Sequence, residues 1–296
     1  MKEKPFSKYQ ILANAVMIIW TLAIILPFIL LFMSSITDEN TLVANGYSFF
    51  PKKFSLASYS YIIKSGGQIL KAYGVSIGVT VVGTLLNVLL SALMAYPLSV
   101  KNLPGRNVMM FFVFFTMLFN GGIVPSYIMW TGTFHIKDTI FAQLLPNFRL
   151  SAWNVMMIRT YFTTSIPDGL YEAAEIDGAS QFTIFWKIVL PLGKPILVTM
   201  GTFAGLAYWN DWTNGLYYIV KNTGLYNVQN LLNQMVQNIQ FLTQSSNSNV
   251  TAAASTIPAT GIQMAIAFVA ILPIMLIFPS FQKYYAKGIA LGAVKG

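Results

Sequence analysis

The 296-residue chain has no cysteine, a single histidine (His135) and only nine acidic residues. The lack of cysteine excludes disulfides, thiolate metal sites and cysteine nucleophiles. One imidazole and so few carboxylates leave little material for hydrolytic or metal-dependent catalysis. Charge of either sign is scarce, at 9% of residues, against about 25% in soluble domains. That is too little to coat a water-exposed surface of this size. Hydrophobic residues make up 55% of the chain and fall in long blocks, so the expected solvent is a lipid bilayer. The net charge of +9 could point to nucleic acid. The basic residues sit at the ends of apolar blocks rather than on a polar face, which argues against that partner.

Six stretches are long enough to cross a bilayer: Ile11–Met33, Gly74–Val100, Val108–Trp130, Thr139–Phe162, Ile196–Val220 and Gly261–Tyr284. At 1.5 Å rise per residue, 22 residues cover ~33 Å, about one hydrocarbon core. Gly121-Gly122, Pro125 and Pro146 interrupt the third and fourth. The first span is longer than a signal-peptide core and is followed by no A-x-A-like site, so it reads as a retained helix. The expected class is all-α, a polytopic membrane protein with six transmembrane helices.

Lys and Arg give the direction. With an inner N-terminus, the inner segments hold Lys2, Lys4, Lys8, Lys101, Arg106, Arg159, Lys187, Lys194, Lys283, Lys287 and Lys295. The outer segments hold Lys52, Lys53, Lys64, Lys71, Lys137 and Lys221, and Arg149 lies mid-span. Positive charge collects on the cytoplasmic side, so both termini are expected inside. The chain then divides into an N-terminus (1–10), a permeating domain (11–284) with an inner loop (163–195) and an outer loop (222–260), and an inner tail (285–296). The outer loop opens with Val228, Leu231, Leu232, Met235 and Ile239 at helical spacing. Such a helix suits either a cap over the outer mouth or a docking surface.

The inner loop is the most informative segment. Ser165-Ile166-Pro167-Asp168 resembles a helix start, with Ser165 as cap. Leu170, Ala173, Ala174 and Asp177 then share a face, and Gly178 is placed to stop the helix in the left-handed region. A second helix is expected from Ser180 to Leu190, with Phe182, Phe185, Trp186 and Val189 apolar, ended by Pro191 and Pro195. Small residues flanked by Glu172, Glu175 and Asp177 would let a basic protein surface approach closely.

Glu172-Ala173-Ala174, three residues, Gly178, nine residues, then Ile188-Val189-Leu190-Pro191 resembles the EAA loop of ABC importer permeases at every defining position. The six spans, the Trp209-Asn210-Asp211 segment and the small-residue tail Lys287–Gly296 resemble the second permease of maltose-type carbohydrate importers, including aldouronate-type oligosaccharide permeases. The resemblance implies a type I importer permease (MetI-like) fold in a bacterial cytoplasmic membrane. It also implies a non-catalytic subunit, with Glu172, Ala173, Ala174, Asp177, Gly178, Ile188, Leu190 and Pro191 coupling it to an ATPase. The implied partners are a second, homologous permease, two ATPase subunits, an external solute-binding protein and a carbohydrate. No G-x-x-x-x-G-K-[ST] phosphate loop is present, so ATP and magnesium belong on the ATPase subunits.

Arg149 and Asp211 are intramembrane charges, which are expensive and face a cavity or each other. They form either a structural pair or part of the substrate path, with Tyr208, Trp209, Asn210 and Trp212 as further candidates beside sugar rings. Three rivals remain. One is an importer permease for a non-sugar solute such as an amino acid. Another is an ion-coupled transporter, which would carry more intramembrane carboxylates and a pseudo-repeat. The third is a membrane enzyme.

Overall fold

The computed structural model describes residues 8–64, 66–146, 151–244 and 259–293. Helix is the only extended secondary structure among them, apart from one isolated bridge between Thr37 and Phe54. Three helices are unbroken, apolar and long enough to cross a membrane: α1 (Lys8–Ser35), α4 (Gly66–Ser99) and α14 (Ala259–Ala293), the last over Thr260–Ile277. They coincide with the expected first, second and sixth spans. α1 carries Pro27 and α4 carries Pro97, which bilayer helices tolerate where neighbours satisfy the freed carbonyls.

The other three expected spans are not single helices. In place of the third, α5 (Arg106–Leu118) and α6 (Ile123–Thr133) meet at 107°. The bend lies at Gly121-Gly122, where Gly122 takes φ +85°, a value that favours glycine. The fourth is two helices, α7 (Phe141–Leu144) and α8 (Ala152–Ser165); Arg149 lies outside the described residues. The fifth is α11 (Lys194–Trp209) followed, after Asn210–Trp212, by α12 (Thr213–Tyr218). Between α8 and α11 stand α9 (Asp168–Ile176) and α10 (Gln181–Leu192), with α10 bent by 78° from α11. The remaining helices are α2 (Glu39–Asn45), α3 (Ala57–Lys64) and α13 (Val228–Gln244).

The described residues form two compact units. The first takes the chain up to Ile69 together with Leu232–Pro273; the second takes Leu70–Leu231 and the chain from Ile274 onward. In the first unit, the Glu39 carboxylate accepts the Thr260 and Gly261 amides at 2.9 and 2.8 Å. It thereby satisfies the open N–H groups at the start of α14, where the helix dipole favours an anion. Gly261 permits this approach, because a Cβ there would stand 2.5 Å from the Ser58 hydroxyl. Ile62 packs on Ile262, Ala265 and Ile266, with Leu232 and Met235 of α13 against the same cluster. Leu232 and Met235 of the expected apolar stripe are thus used for packing.

In the second unit, α4 lies along α8 and α11. Gly83 makes room for Tyr208, whose ring carbons a Cβ would meet at 2.5 Å, and Gly205 faces Thr84. Asn154 donates to buried Asn87 across α8 and α4 at 3.1 Å. Ala92, Ala95, Leu98, Ile158, Phe162, Ile184, Phe185 and Val189 continue this packing into one apolar cluster.

Candidate functional site

The loop between α8 and α11 is built as a rigid hook on that cluster. Helix α8 continues through Ser165, so Ser165 is not the cap that the sequence suggested. The break is only Ile166 and Pro167, both extended, and Pro167 precedes the first turn of α9. Asp168 lies in that turn, where its charge suits the helix dipole, and it pairs with Lys101 from the segment after α4.

The end of α9 is a complete Schellman stop. Gly178 N–H donates to the Glu175 carbonyl at 3.0 Å and Ala179 N–H to the Ala174 carbonyl at 2.9 Å. Gly178 takes φ +76°, which a Cβ would strain. Ser180 then caps α10 by accepting the Thr183 amide at 3.2 Å.

Burial divides the expected faces differently from the sequence. Ala174 turns inward into the apolar cluster, while Ala173, Glu172, Asp177 and Gly178 are exposed. In α10, Phe185 and Val189 are buried, whereas Phe182 and Trp186 lie outside, edge-to-face with each other. A π-helical turn at Phe185–Val189 shifts the register so that Ile184 also points inward. Ile188 and Leu190 are partly buried and Pro191 is exposed. α10 does not end at the prolines; the break falls between them at Gly193. A Cβ at Gly193 would stand 2.5 Å from the Phe162 ring.

Two features were not legible in the sequence. Ile176 is 86% exposed at the tip of α9, an apolar knob beside three acids. Tyr96 of α4 donates to Gln181 at 2.6 Å, and Gln181 donates to Glu175 at 2.8 Å. Glu175 therefore ties α9 to α10 and α4, leaving Glu172 and Asp177 as the outward acids.

The second set of candidates surrounds the break after α11. Tyr208, Trp209 and Asp211 are buried, while Asn210 and Trp212 are exposed. One Asp211 carboxylate oxygen accepts from the Thr213 amide at 3.0 Å and the Thr213 hydroxyl at 2.6 Å. The carboxylate thus starts α12, in the manner of an Asx turn. Asn227 donates to the Asp211 carbonyl at 2.6 Å. Gln143 donates to the Leu225 carbonyl and to the Asn230 carboxamide, both at 3.0 Å, and Asn230 donates to the Trp212 carbonyl. These buried amides join α7, the break and the start of α13.

Asp138, in the turn before α7, accepts three successive amides: Val220, Lys221 and Asn222, at 2.7, 2.8 and 3.2 Å. The Lys221 and Val220 amides chiefly hold its carboxyl below its ordinary value; Asn222 and the charge of Lys137 act in the same direction. A depressed carboxylate stabilises the fold above the unfolded-state value, and that contribution is lost as pH falls through the lowered one. Asp138→Asn is therefore expected to speed amide hydrogen exchange at Val220–Asn222 at neutral pH. In the wild type the protection of these amides, relative to their intrinsic exchange at each pH, should fall only on acidification below the ordinary carboxylate value of about 3.9. Unchanged exchange in the variant would refute the clamp.

A family model described as a binding-protein-dependent transport system inner membrane component matches residues 72–291. Protein LplC of Bacillus subtilis (strain 168) is 36% identical over 272 residues, 92% of this chain and 90% of that protein. The polygalacturonan/rhamnogalacturonan transport system permease protein YtcP of the same organism is 36% identical over 288 residues, covering 97% of this chain and 98% of the relative. A crystal structure of a bacterial ABC transporter involved in the import of the acidic polysaccharide alginate contains a similar chain. It aligns with a TM-score of 0.79 at 25% identity, over 96% of this chain and 100% of its own. The match over residues 72–291 and the whole-length relatives converge: the chain belongs to the binding-protein-dependent transport system inner membrane component family.

Proposed function

We propose that this chain is the translocating subunit of an ABC importer for a carbohydrate, an oligosaccharide rather than a single sugar. The observation that carries the substrate class is the relationship to a polygalacturonan/rhamnogalacturonan permease over nearly the whole length of both proteins. The chain crosses the cytoplasmic membrane six times with both termini inside. Its working partners are a second permease, two ATPase subunits holding ATP and magnesium, and an external solute-binding protein.

The α9–α10 hook is the handle. Glu172, Ala173, Ile176, Asp177 and Gly178 meet the ATPase, while Ala174, Ile188, Leu190 and Pro191 hold the hook in shape. Closure of the ATPases moves the hook as a body, because its two helices are fastened to α4 and α8, and this rocks the spans between states. Asn210 and Trp212 offer the exposed polar and aromatic groups at the break in the fifth span. Asp211, Tyr208 and Trp209 position them.

The test is the complete transporter in proteoliposomes. Pectin-derived or other oligosaccharides delivered by the binding protein should stimulate ATP hydrolysis. Stimulation by an amino acid, with every sugar inert, would overturn the carbohydrate assignment. The cysteine-free chain makes topology directly readable: Asp177→Cys should react with an impermeant maleimide only from inside, and His135→Cys only from outside.

A further inference from the structure

A cavity of about 600 Å³ lies between α4 and α7, lined by none of the hook residues and by none of Asn210–Trp212. Lys71, Gly74, Gly78 and Val82 line it from α4, and Phe141 and Leu144 from α7. Gly224 lines it too, and its turn is held to α4 by the Val228 amide, which donates to the Ser76 hydroxyl at 2.8 Å.

Three properties define what fits. The wall is apolar, so it cannot replace the water lost by sugar hydroxyls. Lys71 is its one charged group, and no carboxylate of the described residues stands within ion-pair distance of it. The slot is open along α4: a Cβ on Gly74 or Gly78 would meet nothing within 4 Å.

Depth supplies the last element. Lys71 to Val82 spans eleven helical steps, ~16 Å at 1.5 Å each, and half of a hydrocarbon core is ~15 Å. The slot therefore matches one leaflet, with a cation at the headgroup end and hydrocarbon-compatible walls below it.

We propose that this slot is a binding site for an anionic phospholipid of the outer leaflet, its phosphate on Lys71 and one acyl chain along Gly74, Gly78 and Val82. The leaflet rests on the membrane orientation given under the proposed function. The site itself does not. A headgroup phosphate gains charge-assisted hydrogen bonds from an ammonium otherwise unpaired at the interface. The chain fills volume that would otherwise expose Phe141 and Leu144 to loosely ordered lipid. A helix of the second permease is the rival occupant, since two glycines four residues apart also admit close helix packing. A phosphate pairs the ammonium by its own charge, whereas a helix does so only if it carries an acid at that depth.

The test is native mass spectrometry of the complete transporter extracted from membranes containing phosphatidylglycerol and phosphatidylethanolamine. The wild type and Lys71→Arg should each retain a phosphatidylglycerol on this chain. Gly78→Leu, which fills the slot, and Lys71→Glu, which inverts its charge, should lose it. Equal retention in all four proteins would overturn the proposal, as would disassembly of the two permeases by Gly78→Leu with lipid occupancy unchanged. The readout is a mass adduct on this chain. It is therefore independent of whether any sugar stimulates ATP hydrolysis, and the two readings fail separately. Labelling of Lys71→Cys from outside alone fixes the leaflet.

Discussion

Ala173→Arg is expected to abolish ATP-driven uptake while the subunit still inserts and assembles with the second permease. Ala173 is exposed on α9 and lies outside the apolar cluster, so the fold has room for the larger side chain. A docked ATPase does not. Truncating or blocking a central interface position costs about 2 kcal/mol or more, which is roughly thirtyfold in affinity. The measurement pairs uptake in proteoliposomes with co-purification of the ATPase. The neighbouring Ala174 makes the control. It is buried in the cluster, so Ala174→Arg would put an unpaired cation among apolar side chains and deform the hook itself. It should lower the melting temperature of the isolated subunit, whereas Ala173→Arg should not. Wild-type uptake by Ala173→Arg would remove the hook from the coupling path.

Gly215→Ala should destabilise the break between α11 and α12 severely. Helix propensity alone gives the opposite sign, since alanine favours helix over glycine by about 1 kcal/mol. The structure decides otherwise, because a Cβ on Gly215 would fall inside the Asn230 carboxamide. Asn230 cannot retreat freely: it donates to the Trp212 carbonyl and accepts from Gln143, and its own amide donates to Asn227. Overpacking and the stranded buried polar groups together cost about 3 kcal/mol. A thermal melt of the purified subunit should fall by several degrees. In the double variant Gly215→Ala/Asn230→Ala the clash is gone, so it should melt no lower than Asn230→Ala alone. Additive losses would mean that the clash is not the cause.

The hook shows how far local patterning reaches. Gly178 announces a helix stop and Ser180 a helix start through chemistry that acts within four residues; the stop and the start were readable, the capping role of Ser180 was not. Ser165 was misread because a serine at the end of one helix and a serine before the next look alike in sequence. Only the two extended residues Ile166 and Pro167 decide between them. The inward turn of Ala174 and outward turn of Ala173 depend on where Tyr96, Phe162 and Phe185 stand. Those residues come from three other helices. The same holds for Gln181, whose value as a link to Tyr96 spans 85 positions.

Composition and hydropathy by themselves pointed to a bilayer and to the blocks long enough to cross it, and the spacing of residues 172–191 carried the resemblance to the EAA loop. These follow from solvent transfer and from short-range backbone chemistry, both of which are additive along the chain. Only the tertiary structure decided that the expected third, fourth and fifth spans are broken helices and that one carboxylate oxygen of Asp211 starts a helix. It also decided that Gly193 and Gly215 are fixed by side chains distant in sequence. Those outcomes depend on which surfaces meet, and a hydropathy profile carries no record of partners.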